Sequence, residues 1–190
     1  MRISWEEISR QVAECSKCRL CEGRNNVVVG EGNPSARVMF IGEGPGQEED
    51  RQGRPFVGAS GELLTSMIHA IGLERTDVYI ANIVKCRPPY NRNPEADEAE
   101  ACLPYLRAQV ALIRPKIIVL LGKVACTYTL RENISIFHDH GKWFERKGVW
   151  MMPTFHPSAL LRDPARKRDA WEDFKSLRER IAELNAEKGE

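Results

Sequence analysis

The sequence has no long hydrophobic run. Its longest purely aliphatic stretch, Ile117–Leu121, is five residues, against the roughly 18 that cross a bilayer, so no membrane partner is expected. Charge of one sign is not in excess either: 28 Lys and Arg stand against 27 Asp and Glu, a net +1. Bulk electrostatics therefore does not announce a nucleic-acid binder, and any basic surface must be local. Cysteine is sparse, six in 190 residues, far below the density of a disulfide scaffold. The opening MRISWEEIS places two Glu where a secretory leader needs an apolar stretch, so no targeting segment and a cytoplasmic location are expected. In that setting clustered Cys point to metal or redox chemistry. There is no internal repeat and no low-complexity linker. With 42% hydrophobic and 29% charged residues, the chain reads as one domain, 1–190, and as a monomer.

Ser4, with Glu7 three residues on, predicts a capping box that opens a helix with Trp5, Ile8 and Val12 on one face. Strands are expected at Arg37–Ile41, Val78–Val84 and Ile117–Leu121, and a hairpin over Lys147-Gly148 joins Lys142–Glu145 to Val149–Phe155. Helical spacing marks Gly58–Gly72, Asp97–Ile113, Gly122–Leu130 and a charged tail from Asp169 to Glu187. Strands alternating with helices, each strand a short apolar run, predict an α/β fold with a parallel sheet covered on both faces. Gly42–Gly46, Asn82 and His156-Pro157-Ser158 fall at the carboxyl ends of these strands, where open α/β sheets bind ligands.

Cys15 and Cys18 form a C-x2-C, and Cys86 and Cys102 bracket a Pro-rich segment. Four thiolates at this spacing suit zinc and an iron–sulfur cluster equally. Cys21 extends the first motif to C-x2-C-x2-C, so which two thiols it supplies is open. Cys126 reads as a small core residue. Gly42-Glu43-Gly44-Pro45-Gly46 is no dinucleotide fingerprint, because Gln47 stands where the third Gly belongs, and Glu43, Glu48, Glu49 and Asp50 would repel a polyphosphate. It is a strand-to-helix turn with exposed amides. His69 reads as packing, and His138-Asp139-His140 as a surface loop. Arg162, Arg166, Lys167 and Arg168 against Asp163 leave a local +3, and Lys85, Arg87 and Arg92 add three more charges. Both runs flank the candidate site, which suits phosphate tracking.

GEGPGQEEDRQGRPFVGASGELL, NIVKCRPPYNRNP and HPSALLR, with paired Cys around them, together resemble the family 4 uracil-DNA glycosylases of thermophilic bacteria and archaea, from about Cys15 to Arg168. The resemblance implies a three-layer αβα fold around a mainly parallel four-stranded sheet. It implies a DNA-repair hydrolase that flips uracil out of DNA and cleaves its glycosidic bond, and a 4Fe–4S cluster on Cys15, Cys18, Cys86 and Cys102. Glu43 and Gly44 fall in the first motif, whose backbone contacts the flipped base. Phe56 matches the aromatic that stacks on uracil, Asn82 the amide that reads its edge, and His156 the histidine beside O2. Family 1 enzymes carry Asp where this chain has Gly44 and Tyr where it has Gly46. Glu49 is the expected substitute for orienting water, excluding the thymine methyl, or both. Ser158, Arg162, Arg166, Lys167, Arg168, Lys85 and Arg87 are the expected DNA contacts. Uracil-containing DNA is the expected partner and a polymerase clamp a candidate one. The readings from other classes are a non-enzymatic nucleic-acid-binding module stapled by an iron–sulfur or zinc site, and a redox carrier. Only the enzyme requires Asn82, Phe56 and His156 to converge on one pocket.

Overall fold

The structure, a computed structural model, describes residues 4–186. In chain order its elements are α1 (Trp5–Ala13), α2 (Leu20–Gly23), β1 (Glu31–Gly32), β2 (Val38–Gly42), α3 (Gln47–Gln52), α4 (Ala59–Ala70), β3 (Tyr79–Asn82), α5 (Ala96–Ile113), β4 (Ile117–Leu121), α6 (Gly122–Leu130), α7 (Ile136–Asp139), β5 (Phe144–Arg146), β6 (Val149–Thr154), α8 (Pro157–Arg162) and α9 (Lys167–Ala186). The expected tail end at Glu187 lies outside the described residues.

The strands form one sheet in the order β1-β3-β2-β4-β6-β5. The pairs β3–β2, β2–β4 and β4–β6 are parallel, and β1 and β5 add antiparallel edges. The expected four-stranded parallel sheet is thus the centre of a six-stranded one. Alternation along each strand builds two cores. Met39, Ile41, Ile118 and Leu120 pack with residues of α1, α5 and α6, among them Ile8, Leu106 and Cys126. Val38, Phe40, Ile117, Val119 and Leu121 pack instead with Leu64 and Ile68 of α4 and Phe174 and Leu177 of α9. A sheet with helices on both faces is the three-layer arrangement expected.

Two local expectations are corrected. Glu7 N–H donates to Ser4 Oγ at 3.2 Å, but the Glu7 carboxylate does not close the box, because Arg10 and Gln11 on the same helical face bind it. His69 is exposed at the last turn of α4, and its Nε2 lies 2.8 Å from Glu74 Oε2. Among the described residues, no helix is long and apolar enough to cross a membrane.

Candidate active site

A cavity of about 470 Å³ opens where the carboxyl ends of β2, β3, β4 and β6 meet, and Glu43, Gly44, Glu49, Phe56, Asn82 and His156 all line it. The parallel strands bring these residues together from positions more than a hundred apart in the chain. Asn82 ends β3 and is 2% exposed. Its Oδ1 is buried and has no hydrogen-bond partner. An unpaired buried acceptor costs about 1–3 kcal/mol, so it is expected to have a donor when the site is filled. A Cβ on Gly42 would lie 2.5 Å from both Asn82 Oδ1 and the Phe56 ring. Only glycine at the end of β2 leaves room for both the amide and the aromatic ring.

Phe56 is buried and sits at φ 51°, a left-handed conformation rare for an aromatic residue. Its neighbours hold it there. Arg75 donates to the carbonyls of Pro55 and Phe56 at 2.8 and 2.9 Å, and Glu49 Oε1 accepts the N–H groups of Val57 and Gly58, both at 2.9 Å. Glu49 Oε2 accepts Gly46 N–H at 3.1 Å and would touch a Cβ at position 46 at 2.8 Å. The carboxylate therefore occupies the space where a side chain at 46 would begin. Glu43 is half-buried, and that burial raises its carboxyl pKa while Arg162 opposes the rise.

His156 caps the N-terminus of α8. Ser158 N–H donates to His156 Nδ1 at 3.1 Å, and Ser158 Oγ lies 2.8 Å from the same nitrogen. Burial, with a smaller push from Arg162, takes the imidazole pKa from 6.5 down to about 4. The ring is neutral at physiological pH, and with Nδ1 accepting, its proton is on Nε2. Its centroid lies 5.5 Å from that of Phe56.

Between the segment after α1, the loop after β3 and α5, Cys15, Cys18, Cys21, Cys86 and Cys102 line a second, smaller cavity with Val12, Ala101 and Tyr105. Arg24 Nη1 donates to Cys86 Sγ, and Lys85 N–H to Cys102 Sγ, each at 3.3 Å. Burial raises the thiol pKa values of Cys18, Cys86 and Cys102, the last to about 11. Cys126 is fully buried in the core, as expected.

The family model described as the uracil DNA glycosylase superfamily matches residues 29–175. The chain belongs to this superfamily. It is 50% identical over 185 residues to the Type-4 uracil-DNA glycosylase of Sulfurisphaera tokodaii, covering 93% of this chain and 84% of that one. It is 44% identical over 184 residues to the Type-4 uracil-DNA glycosylase of Saccharolobus solfataricus, covering 92% and 85%. It is 49% identical over 162 residues to that of Thermotoga maritima, covering 83% of each chain.

Within this superfamily member the basic residues separate. Lys85, expected to face DNA, is 1% exposed, and its Nζ donates to Asn82 O at 2.9 Å and Gln109 Oε1 at 2.7 Å. It is corrected to an interior residue: it lies three residues after the end of β3, lines the cysteine cavity, and its side chain folds back into the protein to reach Asn82 O. Arg87 is half-buried and donates to Asn91 Oδ1 at 2.8 Å. Ser158 and Arg162 line the cavity. Arg166 is exposed but lies between Asp163 and Asp169, which offset its charge; Lys167 and Arg168 are exposed beside it.

Several contributors carried no sequence signal. Arg75 holds the Phe56 turn from nineteen residues away. Glu98 is fully buried and binds Arg19, from the cysteine segment, at 2.8 Å and Arg92, from the Pro-rich loop, at 2.7 Å. Its hydrogen bond with Arg92 leads in bringing its carboxyl pKa down to about 2. Local pattern does not reveal which acid a distant arginine will meet.

Proposed function

We propose that this protein excises uracil from DNA, taking the extruded base into the 470 Å³ cavity and leaving an abasic site. The observation that carries the reading is the unpartnered Asn82 Oδ1. Uracil N3–H is a donor of the kind that this acceptor lacks, and O4 is a matching acceptor for the amide N–H. Phe56 supplies the apolar face for the ring. As the glycosidic bond breaks, the base departs as an anion with charge growing on O2. His156, neutral and with its proton on Nε2, is the donor for that charge, and it need not lose a proton to act. Glu49 Oε1 accepts two backbone N–H bonds and Oε2 one, which leaves Oε2 capacity to accept from the attacking water. The same carboxylate fills the space a ring at position 46 would take and so stands against a 5-methyl group. Incubation with a uracil-containing oligonucleotide is expected to produce alkali-labile sites.

Cys15, Cys18, Cys86 and Cys102 fit a 4Fe–4S cluster. Their side chains ring one cavity, and two of the sulfurs already accept N–H bonds of the kind cluster sulfurs take. The lining is sulfur-rich and offers no histidine, a donor set that an iron–sulfur cluster takes as thiolates. A cluster there would be structural, cross-linking the segment Cys15–Cys18 to the loop that leaves β3. The purified protein is expected to be yellow-brown and to contain iron and inorganic sulfide, and Cys21→Ala should keep the colour. Stoichiometric zinc in protein prepared anaerobically from iron-replete cells would contradict the assignment; a colourless Cys21→Ala protein would move Cys21 into the ligand set.

Arg166, Lys167 and Arg168 are assigned to the DNA backbone without a part in base choice. Each phosphate contact adds roughly −0.9 to the slope of log affinity against log salt on duplex DNA. Because Asp163 and Asp169 already offset Arg166, Lys167 and Arg168 should carry most of the change in a triple Ala variant. An unchanged slope would return the run to a solvated face.

A further inference from the structure

Two aromatic rings beside the cavity have little part in the fold. Tyr90 is 98% exposed and Phe137 63% exposed, the most exposed large hydrophobic side chains among the described residues. Phe137 lines the cavity, and Tyr90 lies between Pro88 and Asn91, which line it too. They come from opposite flanks: Tyr90 from the loop after β3, Phe137 from α7, which packs on β6, with β2 and β4 between those strands.

The presentation of Tyr90 is unfavourable to the isolated protein on two counts. Its ring is solvated, and both Tyr90 and Asn91 are left-handed, at φ 56° and 54°. Non-glycine residues held this way collect at functional sites, where the surroundings fix them. Here the surroundings do so. Pro88 and Pro89 stiffen the loop, Arg87 Nε donates to Asn91 Oδ1 at 2.8 Å, and Arg92 is tied to buried Glu98 at 2.7 Å. A rigid loop thus projects an aromatic ring into solvent at the rim of the site. Phe137 is steadied by the Arg166 guanidinium, 5.2 Å from its centroid, and by Phe155, 6.1 Å away and edge-on.

We propose that Tyr90 and Phe137 are stacking platforms for the bases that flank the extruded uracil, and that they equip the site for single-stranded DNA. This rests on the uracil-excision reading of the cavity. In a duplex the flanking bases stay paired to the opposite strand and are held within the helix, so they are not free to turn onto a ring at the rim. In a single strand they are unpaired and held only by weak stacking, and an aromatic platform can take their exposed face.

The test compares Tyr90→Ala, Phe137→Ala and the double variant with wild type on uracil oligonucleotides, single-stranded and duplex. Binding is read with an uncleavable uracil nucleotide. Each substitution is expected to weaken single-strand binding about tenfold, within the range for one base–aromatic stack, and duplex binding by much less. Tyr90→Phe should restore binding. Tyr90→Gly, which relieves the backbone but removes the ring, should behave like Tyr90→Ala. Replacing the flanking nucleotides by abasic spacers should weaken wild-type binding and leave the double variant nearly unaffected. Equal losses on both substrates, recovery by Tyr90→Gly, or the same spacer effect in wild type and double variant would each overturn the platforms. Wild-type release of uracil, measured alongside, keeps the two claims apart: without it the cavity reading fails, and with it only the platforms are at issue.

Discussion

Asn82→Asp is expected to lose uracil excision by about a hundredfold or more while gaining a trace of activity on cytosine. The amide is buried at the end of β3 with Oδ1 unpartnered. It can accept uracil N3–H through Oδ1 and donate to O4 through Nδ2. Asp has nearly the same shape but, ionised, only accepts. Its second oxygen would face uracil O4, so a hydrogen bond is replaced by a buried repulsion. Leaving a buried group unpaired costs about 1–3 kcal/mol, and more when charge is involved, which is up to about 150-fold before repulsion is added. Facing cytosine, one oxygen of the same carboxylate accepts from the exocyclic amino group, while the other faces N3, itself an acceptor, which is why only a trace of activity is expected. Both Asn82 Oδ1 and the Phe56 ring lie close over Gly42, 2.5 Å from where a Cβ would stand. The measurement is cleavage of matched oligonucleotides carrying either base at one position. Wild-type uracil activity in Asn82→Asp would mean that residue 82 does not read the base edge.

His156→Ala is expected to lower the single-turnover rate about 100- to 1000-fold, the usual loss of one preorganised oxyanion donor. Binding to uncleavable DNA should change far less, because the charge that His156 meets develops only in the transition state. An unchanged rate with weakened binding would make it a phosphate contact. The tautomer gives a second check. With Nδ1 accepting Ser158 N–H and the pKa brought to about 4, the ring should show no titration between pH 5.5 and 8, although Glu43, Glu49 and Arg162 share the cavity. The folded pKa lies below the unfolded value near 6.5, so protons favour the unfolded chain. Its contribution to stability is complete above about pH 6.5 and is lost as pH falls through 4. A ring that titrates near 6.5 would contradict the buried neutral donor.

The four central strands were legible because each is a short apolar run between turn signals, and Ile117–Leu121 matches β4 residue for residue. The edges were less so. β1 has only two residues, and nothing in Glu31-Gly32 marks a strand until β3 is beside it. Among site residues, motif and topology agreed where a side chain follows directly from a strand end, as for Asn82 and His156. Glu49, expected from its motif to stand in for the side chains missing at 44 and 46, lies against Gly46 in the glycine-rich turn that the sequence displays, but the other two N–H bonds it accepts, from Val57 and Gly58, come from the Phe56 turn, which the sequence does not display. Lys85 shows the opposite failure. A lysine in a basic, Pro-rich stretch reads as surface, yet its side chain folds back into the interior, where Asn82 O and Gln109 accept from it. Charge runs report composition, while side-chain direction is set by the backbone.

The measurement that bears most directly on the central claim is quantitation of free uracil released from a duplex oligonucleotide carrying one uracil, beside a control with thymine at the same position. Uracil should appear in amounts equal to the abasic sites revealed by alkali, and thymine should not be released. DNA that is bound but left intact, with no free base, would contradict the glycosylase and leave a nucleic-acid-binding module stapled by its cysteines.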